Sequence, residues 1–139
     1  MNPPILRLPD FDRVFTLQTV ASDIGIGAVL TQPDDSGVKH PVAFASRKLL
    51  PREKRYSTIE RECLAIIWDV SKFQEYLYRK EFRLETDHQP LQYLGNTQYQ
   101  NGRLMRWVQA LQAYRFVVRA MHGRENVGAD FLSRKPVRL

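Results

Sequence analysis

The stretch from Phe15 to Leu30 (FTLQTVASDIGIGAVL) constrains the fold of this chain more than any other. Two runs of β-branched and aliphatic residues flank Asp23-Ile24-Gly25, a pattern that reads as strand, tight turn and return strand over Ile26 to Gln32. Along Val14 to Val20, alternation sends Phe15, Leu17 and Thr19 to one face and Val14, Thr16, Gln18 and Val20 to the other. Only the first set is consistently suited to burial. Val20 is therefore predicted on the more polar face of its strand.

The rest of the chain fits around that hairpin. Residues 1–13 hold three prolines and read as an extended lead-in. Pro33 to Gly37 is a loop of turn formers, and Pro41 to Ser46 a third short strand, so the first fifty residues predict an antiparallel meander. Ser57 and Glu60 have capping-box spacing, with Ser57 as N-cap of the longest helix. Ile59, Cys63, Ile66, Val70, Phe73 and Leu77 then recur at intervals of three and four, forming one apolar stripe. Trp68 falls roughly opposite it, which predicts a second neighbour behind the helix. Phe82 to Thr86 is a fourth strand, His88 to Leu94 a short helix, and Gly95 to Gly102 a polar loop. Arg103 to Ala113 is a helix, with Leu104, Trp107, Val108 and Leu111 facing inward. Tyr114 to His122 is a fifth strand, and Asn126 caps a last helix running to Arg134. The expected architecture is a single α/β domain over residues 14–135. It holds a five-stranded mixed sheet flanked by helices, strands one to three antiparallel and four and five parallel.

Charge and composition narrow the function classes. Lys and Arg outnumber Asp and Glu by 21 to 15, a balance that suits either a polyanionic partner or simple solubility. A single cysteine, Cys63, excludes an internal disulfide and a cysteine-based zinc site; inside the helical stripe it reads as a small buried apolar residue. No apolar run approaches the ~20 residues that span a bilayer. Without an aligned serine or cysteine nucleophile, a triad hydrolase is not indicated. Three acids do occupy element ends: Asp87 after the fourth strand, Glu62 in the first turns of the main helix and Asp130 in the first turn of the last. Hard oxygen ligands so placed can hold divalent cations for phosphoryl displacement, although such acids more often serve as caps or solvated charges. On the helix wheel Glu60 and Glu62 flank the stripe on opposite sides, and periodicity does not choose between them.

Six blocks, in order, carry a resemblance across Leu6 to Arg134: TVASDIGIGAVL, HPVAFASRKL, YSTIERECLAI, TDHQPL, RWVQALQAYRF and GRENVGADFLSR. Together they resemble the ribonuclease H domains of gypsy-type LTR retrotransposons. The resemblance implies a ribonuclease H-like fold and a reverse transcriptase preceding it in a longer polyprotein. It also implies cleavage of the RNA strand of an RNA/DNA hybrid with two Mg²⁺ (or Mn²⁺) ions, in an intracellular setting, either a cytoplasmic particle or the nucleus. By position, the family's helix acid falls on Glu62 and its later acids on Asp87 and Asp130. Its first acid, the one bridging both metals in the usual TDASD form, falls on Val20. A valine has no lone pair to offer a cation, which predicts impaired or absent catalysis. The alternatives are a module that keeps the fold to bind nucleic acid or protein, and an enzyme completed by Asp23 or a partner chain. Asp23, three residues on, is up to ~10 Å along an extended chain, far beyond a metal–oxygen bond of ~2.1 Å. Ser22 shares the face of Val20 but carries only a neutral hydroxyl.

For hybrid contact the candidates are Arg47, Lys48, Arg52, Lys54 and Arg55 before the main helix, with Arg103 and Arg106 beside Trp107. Their alternative is a solvated face, and Trp107 at helical spacing reads as core before stacking platform. Among the histidines, His122 reads as a strand-end surface residue ahead of a catalytic one. His88 reads as a structural group beside Asp87, and His40 as inert.

Overall fold

A computed structural model describes residues 6–86, 89–95 and 102–119. Strand β1 (Thr16–Ala21) turns into β2 (Gly25–Pro33), which returns as β3 (Lys39–Lys48). A 3₁₀ turn (Glu53–Arg55) leads into α1 (Thr58–Lys72) and the short α2 (Gln74–Leu77). Then come β4 (Phe82–Glu85), α3 (Gln89–Gly95), α4 (Gly102–Gln112) and β5 (Phe116–Arg119). The five strands form one sheet in the order β3-β2-β1-β4-β5. β1–β2 and β2–β3 pair antiparallel, while β1–β4 and β4–β5 pair parallel. The expected mixed sheet is present, and the expected last helix lies outside the described residues.

The β1–β2 turn forms because Ser22 satisfies its own loop. Its amide donates to the Gly25 carbonyl at 2.9 Å, and its Oγ accepts from the Ile24 and Gly25 amides at 3.2 and 3.1 Å. Gly25 is required by close approach, since a Cβ there would stand 2.9 Å from the Arg47 carbonyl oxygen. The predicted alternation holds in β1. Phe15, Leu17 and Thr19 are buried, Gln18 is half-buried and Val20 is 55% exposed. Thr16 departs from it and is buried as well.

Helix α1 starts at the predicted capping box. Ser57 Oγ accepts from the Glu60 amide at 3.2 Å, while Glu60 Oε1 accepts from the Ser57 amide at 3.0 Å. These bonds satisfy two amides that the helix itself leaves without partners. The apolar stripe outlasts the helix: α1 stops at Lys72, yet Phe73 and Leu77 remain buried through α2. With Cys63, Ile66 and Val70 they join Leu17, Leu30 and Leu84 of the sheet and Leu91, Leu94, Leu104 and Leu111 of α3 and α4 in one core. Each buried Leu or Ile of this set contributes roughly 1.5–3 kcal/mol of transfer free energy. The second neighbour predicted beside α1 is Ile26 of β2 with Leu49, which cluster with Leu64 and Ala65 of the helix, Trp68 packing against them. In the described part of the lead-in, the Arg7 amide donates to the Pro41 carbonyl at 2.9 Å.

Candidate functional site

Strand polarity decides where the candidate residues fall. β1 and β4 run parallel with Gln18 beside Glu85, so Val20 and the end of β4 lie at the same end of the sheet. β3 finishes there too, with Lys48 opposite Gly25 and the Leu49 amide bonded to the Ile24 carbonyl at 2.9 Å. Residues 49–57 carry the chain from that end into the first turn of α1, and Glu62, half-buried, follows one turn later. Val20, Glu62 and the basic segment are thereby gathered at one end of the fold. Asp87 and Asp130, like His88 and His122, lie outside the described residues.

Glu60 and Glu62, which periodicity left equivalent, differ in what they hold. Both oxygens of Glu60 are engaged: Oε1 with the Ser57 amide and hydroxyl at 3.0 and 3.1 Å, Oε2 with Arg103 Nη2. Burial opposes its ionisation, but the hydrogen bonds from Ser57 and Arg103 prevail and hold its carboxyl below the usual range. Glu60 is thus a structural acid. Cys63, next to Glu62, is fully buried, and its thiol donates to the Pro90 carbonyl at 3.3 Å. Burial, with the charges of Glu62 and Glu60, pushes its pKa up to about 12, which leaves it a neutral packing residue as expected.

Two of the predicted basic residues are drawn inward. Arg47 forks onto Glu53, Nη1 to Oε1 at 2.7 Å and Nη2 to Oε2 at 3.0 Å, and lies 5.5 Å over the Trp68 ring. Glu53 is 4% exposed; it also accepts the Leu50 amide at 2.8 Å. Arg103 pairs with Glu60 and lies 4.3 Å over Tyr56 and 5.6 Å from the Trp107 ring centre. Lys48, Arg52, Lys54, Arg55 and Arg106 stay exposed. Trp107 is half-buried, packed on both apolar clusters and edge-on to Tyr56 at 6.2 Å, in keeping with the core reading. His40, read as inert, meets Asp34 Oδ2 at 2.7 Å.

Sequence reasoning missed Asp69. It is completely buried within α1, and neither carboxylate oxygen has a hydrogen-bond partner. Burial pushes its pKa up to about 9, against the opposing pull of Arg47. Its spacing was the available signal, three residues after Ile66 and four before Phe73, both in the stripe.

Among the described residues no group of three or more His, Cys, Asp or Glu side chains could hold a metal ion. The Val20 side chain, 55% exposed, is a hydrocarbon and offers no lone pair to a cation.

Residues 10–114 match the family described as the RNase H-like domain found in reverse transcriptase. The chain belongs to that family. It is 44% identical over 134 residues to the retrovirus-related Pol polyprotein from transposon 297 of Drosophila melanogaster, covering 96% of this chain and 12% of that protein. It is 41% identical over 132 residues to the Pol polyprotein from transposon gypsy of the same species, covering 94% and 12%. The Tf2-3 transposon polyprotein of Schizosaccharomyces pombe is 36% identical over 138 residues, covering 96% and 10%. The chain therefore spans only a small part of these relatives. Among solved structures, a foamy viral protease-reverse transcriptase in complex with double-stranded DNA shares the fold, with a TM-score of 0.67 at 15% identity over 85% of this chain and 25% of that one. The same kind of protein in complex with an RNA/DNA hybrid gives 0.62 at 17% identity, over 87% of this chain and 17% of that one.

Proposed function

We propose that this chain is the ribonuclease H domain of a retroelement polyprotein, following a reverse transcriptase, and that as it stands it binds RNA/DNA hybrid but cleaves the RNA strand poorly or not at all. The observation that carries this reading is Val20: 55% exposed, on β1, at the end of the sheet where Glu62 and the basic segment lie. A complete acid set would hold two divalent ions, and the chemistry these would supply is activation of the attacking water and stabilisation of the leaving oxygen. Here Glu62, with Asp87 and Asp130, supplies the remaining acids. Binding needs no acid. Lys48, Arg52, Lys54, Arg55 and Arg106 present cations at the surface, suited to the phosphates and shape of a hybrid.

The test is cleavage of a labelled hybrid in Mg²⁺ by the unaltered chain and by Val20→Asp. Restoring the anion adds several kcal/mol of transition-state stabilisation, a gain on the order of 10³-fold or more in rate. Because Val20 is exposed, the same change alters stability by no more than about 1 kcal/mol, so a refolded enzyme does not explain the gain. Strong Mg²⁺-dependent cleavage by the unaltered chain contradicts the proposal. Tight hybrid binding with no cleavage by either form favours a module that kept the fold for binding alone.

A further inference from the structure

We propose that Arg103 is a positioning residue that fixes the first turn of α1 through Glu60, and with it Glu62, and that it does not contact nucleic-acid phosphate. The inference rests on the functional reading above in taking Glu62 as a site acid.

Four elements of geometry converge on the Arg103 side chain. Its plane lies over Tyr56, at 4.3 Å, and within 5.6 Å of the Trp107 ring centre. Its Nη2 is given to Glu60. Its Nε is buried and has no hydrogen-bond partner. The acid it meets is itself largely buried, at 17% side-chain exposure. A guanidinium that reads phosphate needs its fork turned to solvent; here Nη2 is given to an acid and the plane lies over two rings of its own fold, although the side chain as a whole is 34% exposed.

What the contact organises is the start of a helix. Glu60 is the N3 residue of the capping box, with Oε1 on Ser57 and Oε2 on Arg103. One carboxylate thus joins α4, which bears Arg103 and Trp107, to the cap that begins α1. Tyr56, just before that cap, closes the same knot from its other side through its edge-on contact with Trp107. Glu62 comes two residues later, turned about 200° around the helix from Glu60, so Arg103 acts on it through the helix backbone and not by touching it. Lysine would keep the charge, but not the planar stacking over Tyr56 and Trp107.

Arg103→Met, Arg103→Lys and Glu60→Gln test the inference, with Arg52→Met as the comparison. In the unaltered chain, hybrid affinity is measured against salt, and amide hydrogen exchange is followed over residues 58–63. In the Val20→Asp chain, Mn²⁺ affinity is measured by proton relaxation. A lost phosphate contact lowers the slope of log K against log salt by ~0.7–0.9, which Arg52→Met should do. The Arg103 and Glu60 variants should leave that slope unchanged, speed exchange in the first turn of α1 about tenfold or more, and weaken Mn²⁺ binding several-fold. Arg103→Lys should behave as Arg103→Met does. Local exchange alone would follow from any structural contact; the Mn²⁺ shift would not. A slope reduced by one phosphate, full rescue by lysine, or unchanged Mn²⁺ affinity overturns the inference. Should Val20→Asp bind no Mn²⁺, the functional reading fails on its own, and slope and exchange still decide the role of Arg103.

Discussion

The two ends of the antiparallel meander use their polar groups in opposite ways. Where β1 begins and β2 finishes, polar side chains end on the protein itself. Gln32, 6% exposed, accepts the Asp10 amide at 2.8 Å and donates to the Asp10 and Arg13 carbonyls at 2.6 and 3.1 Å. Asp34 Oδ1 accepts the Ser36 and Val38 amides at 2.8 and 3.0 Å, and its Oδ2 meets His40. At the other end Val20 and Ile24 are 55% and 68% exposed, and Lys48, Arg52, Lys54 and Arg55 face solvent. One end spends its polar groups on the fold; the other presents cations and exposed hydrocarbon side chains to solvent. That contrast separates side chains that hold the chain together from side chains that face solvent.

Substitutions at the two ends should therefore move different observables. The largest effect is the gain in cleavage from Val20→Asp, at little cost in stability. Next is Asp69→Asn, in the last turn of α1, which moves stability alone. The folded chain holds the Asp69 proton up to about pH 9, whereas an unfolded chain releases it near its ordinary value of 3.8. Folded protein binds more protons between these values, so stability falls as pH rises through that window. Asp69→Asn removes the fall. Denaturant titrations should find the variant more stable than its parent by roughly 2–4 kcal/mol near pH 8, with the difference shrinking toward pH 4. A parent whose stability stays flat across that range would show that Asp69 is paired or hydrated. Third, Gln32→Ala leaves two carbonyls and one amide without a partner, and should cost about 1–3 kcal/mol while leaving hybrid affinity unchanged. Loss of affinity there would erase the distinction between the ends. The smallest effect belongs to Asp35→Ala. Its carboxylate is 92% exposed and, among the described residues, pairs with Arg13, so the thermal midpoint should stay within error.

Much of the fold was legible because its signals are local. Alternation in β1 put Leu17 and Thr19 inside and Val20 outside; the capping box named the first residue of α1; one stripe named five core residues, Cys63 through Leu77. Thr16 escaped, since alternation treats the two faces of a strand as unlike and this position is buried despite its phase. The candidate site was legible only as far as side chains act alone. Arg47 and Arg103 looked like surface cations because the acids that capture them lie six and 43 residues away. Gln32 is bound across 19 and 22 residues, a pairing that no local pattern announces. Asp69 was hidden for the opposite reason: a charged residue beside a stripe is usually solvated, and its burial follows from the sheet packed against that side of α1.

The most direct measurement is anomalous diffraction from crystals of the unaltered chain grown in Mn²⁺, beside crystals of Val20→Asp. Two manganese peaks beside the new carboxylate are expected in the variant, and at most one weak peak in the unaltered chain. Two fully occupied ions in the unaltered chain, held by Glu62, Asp87 and Asp130 with no oxygen replacing the one absent at Val20, would contradict this expectation.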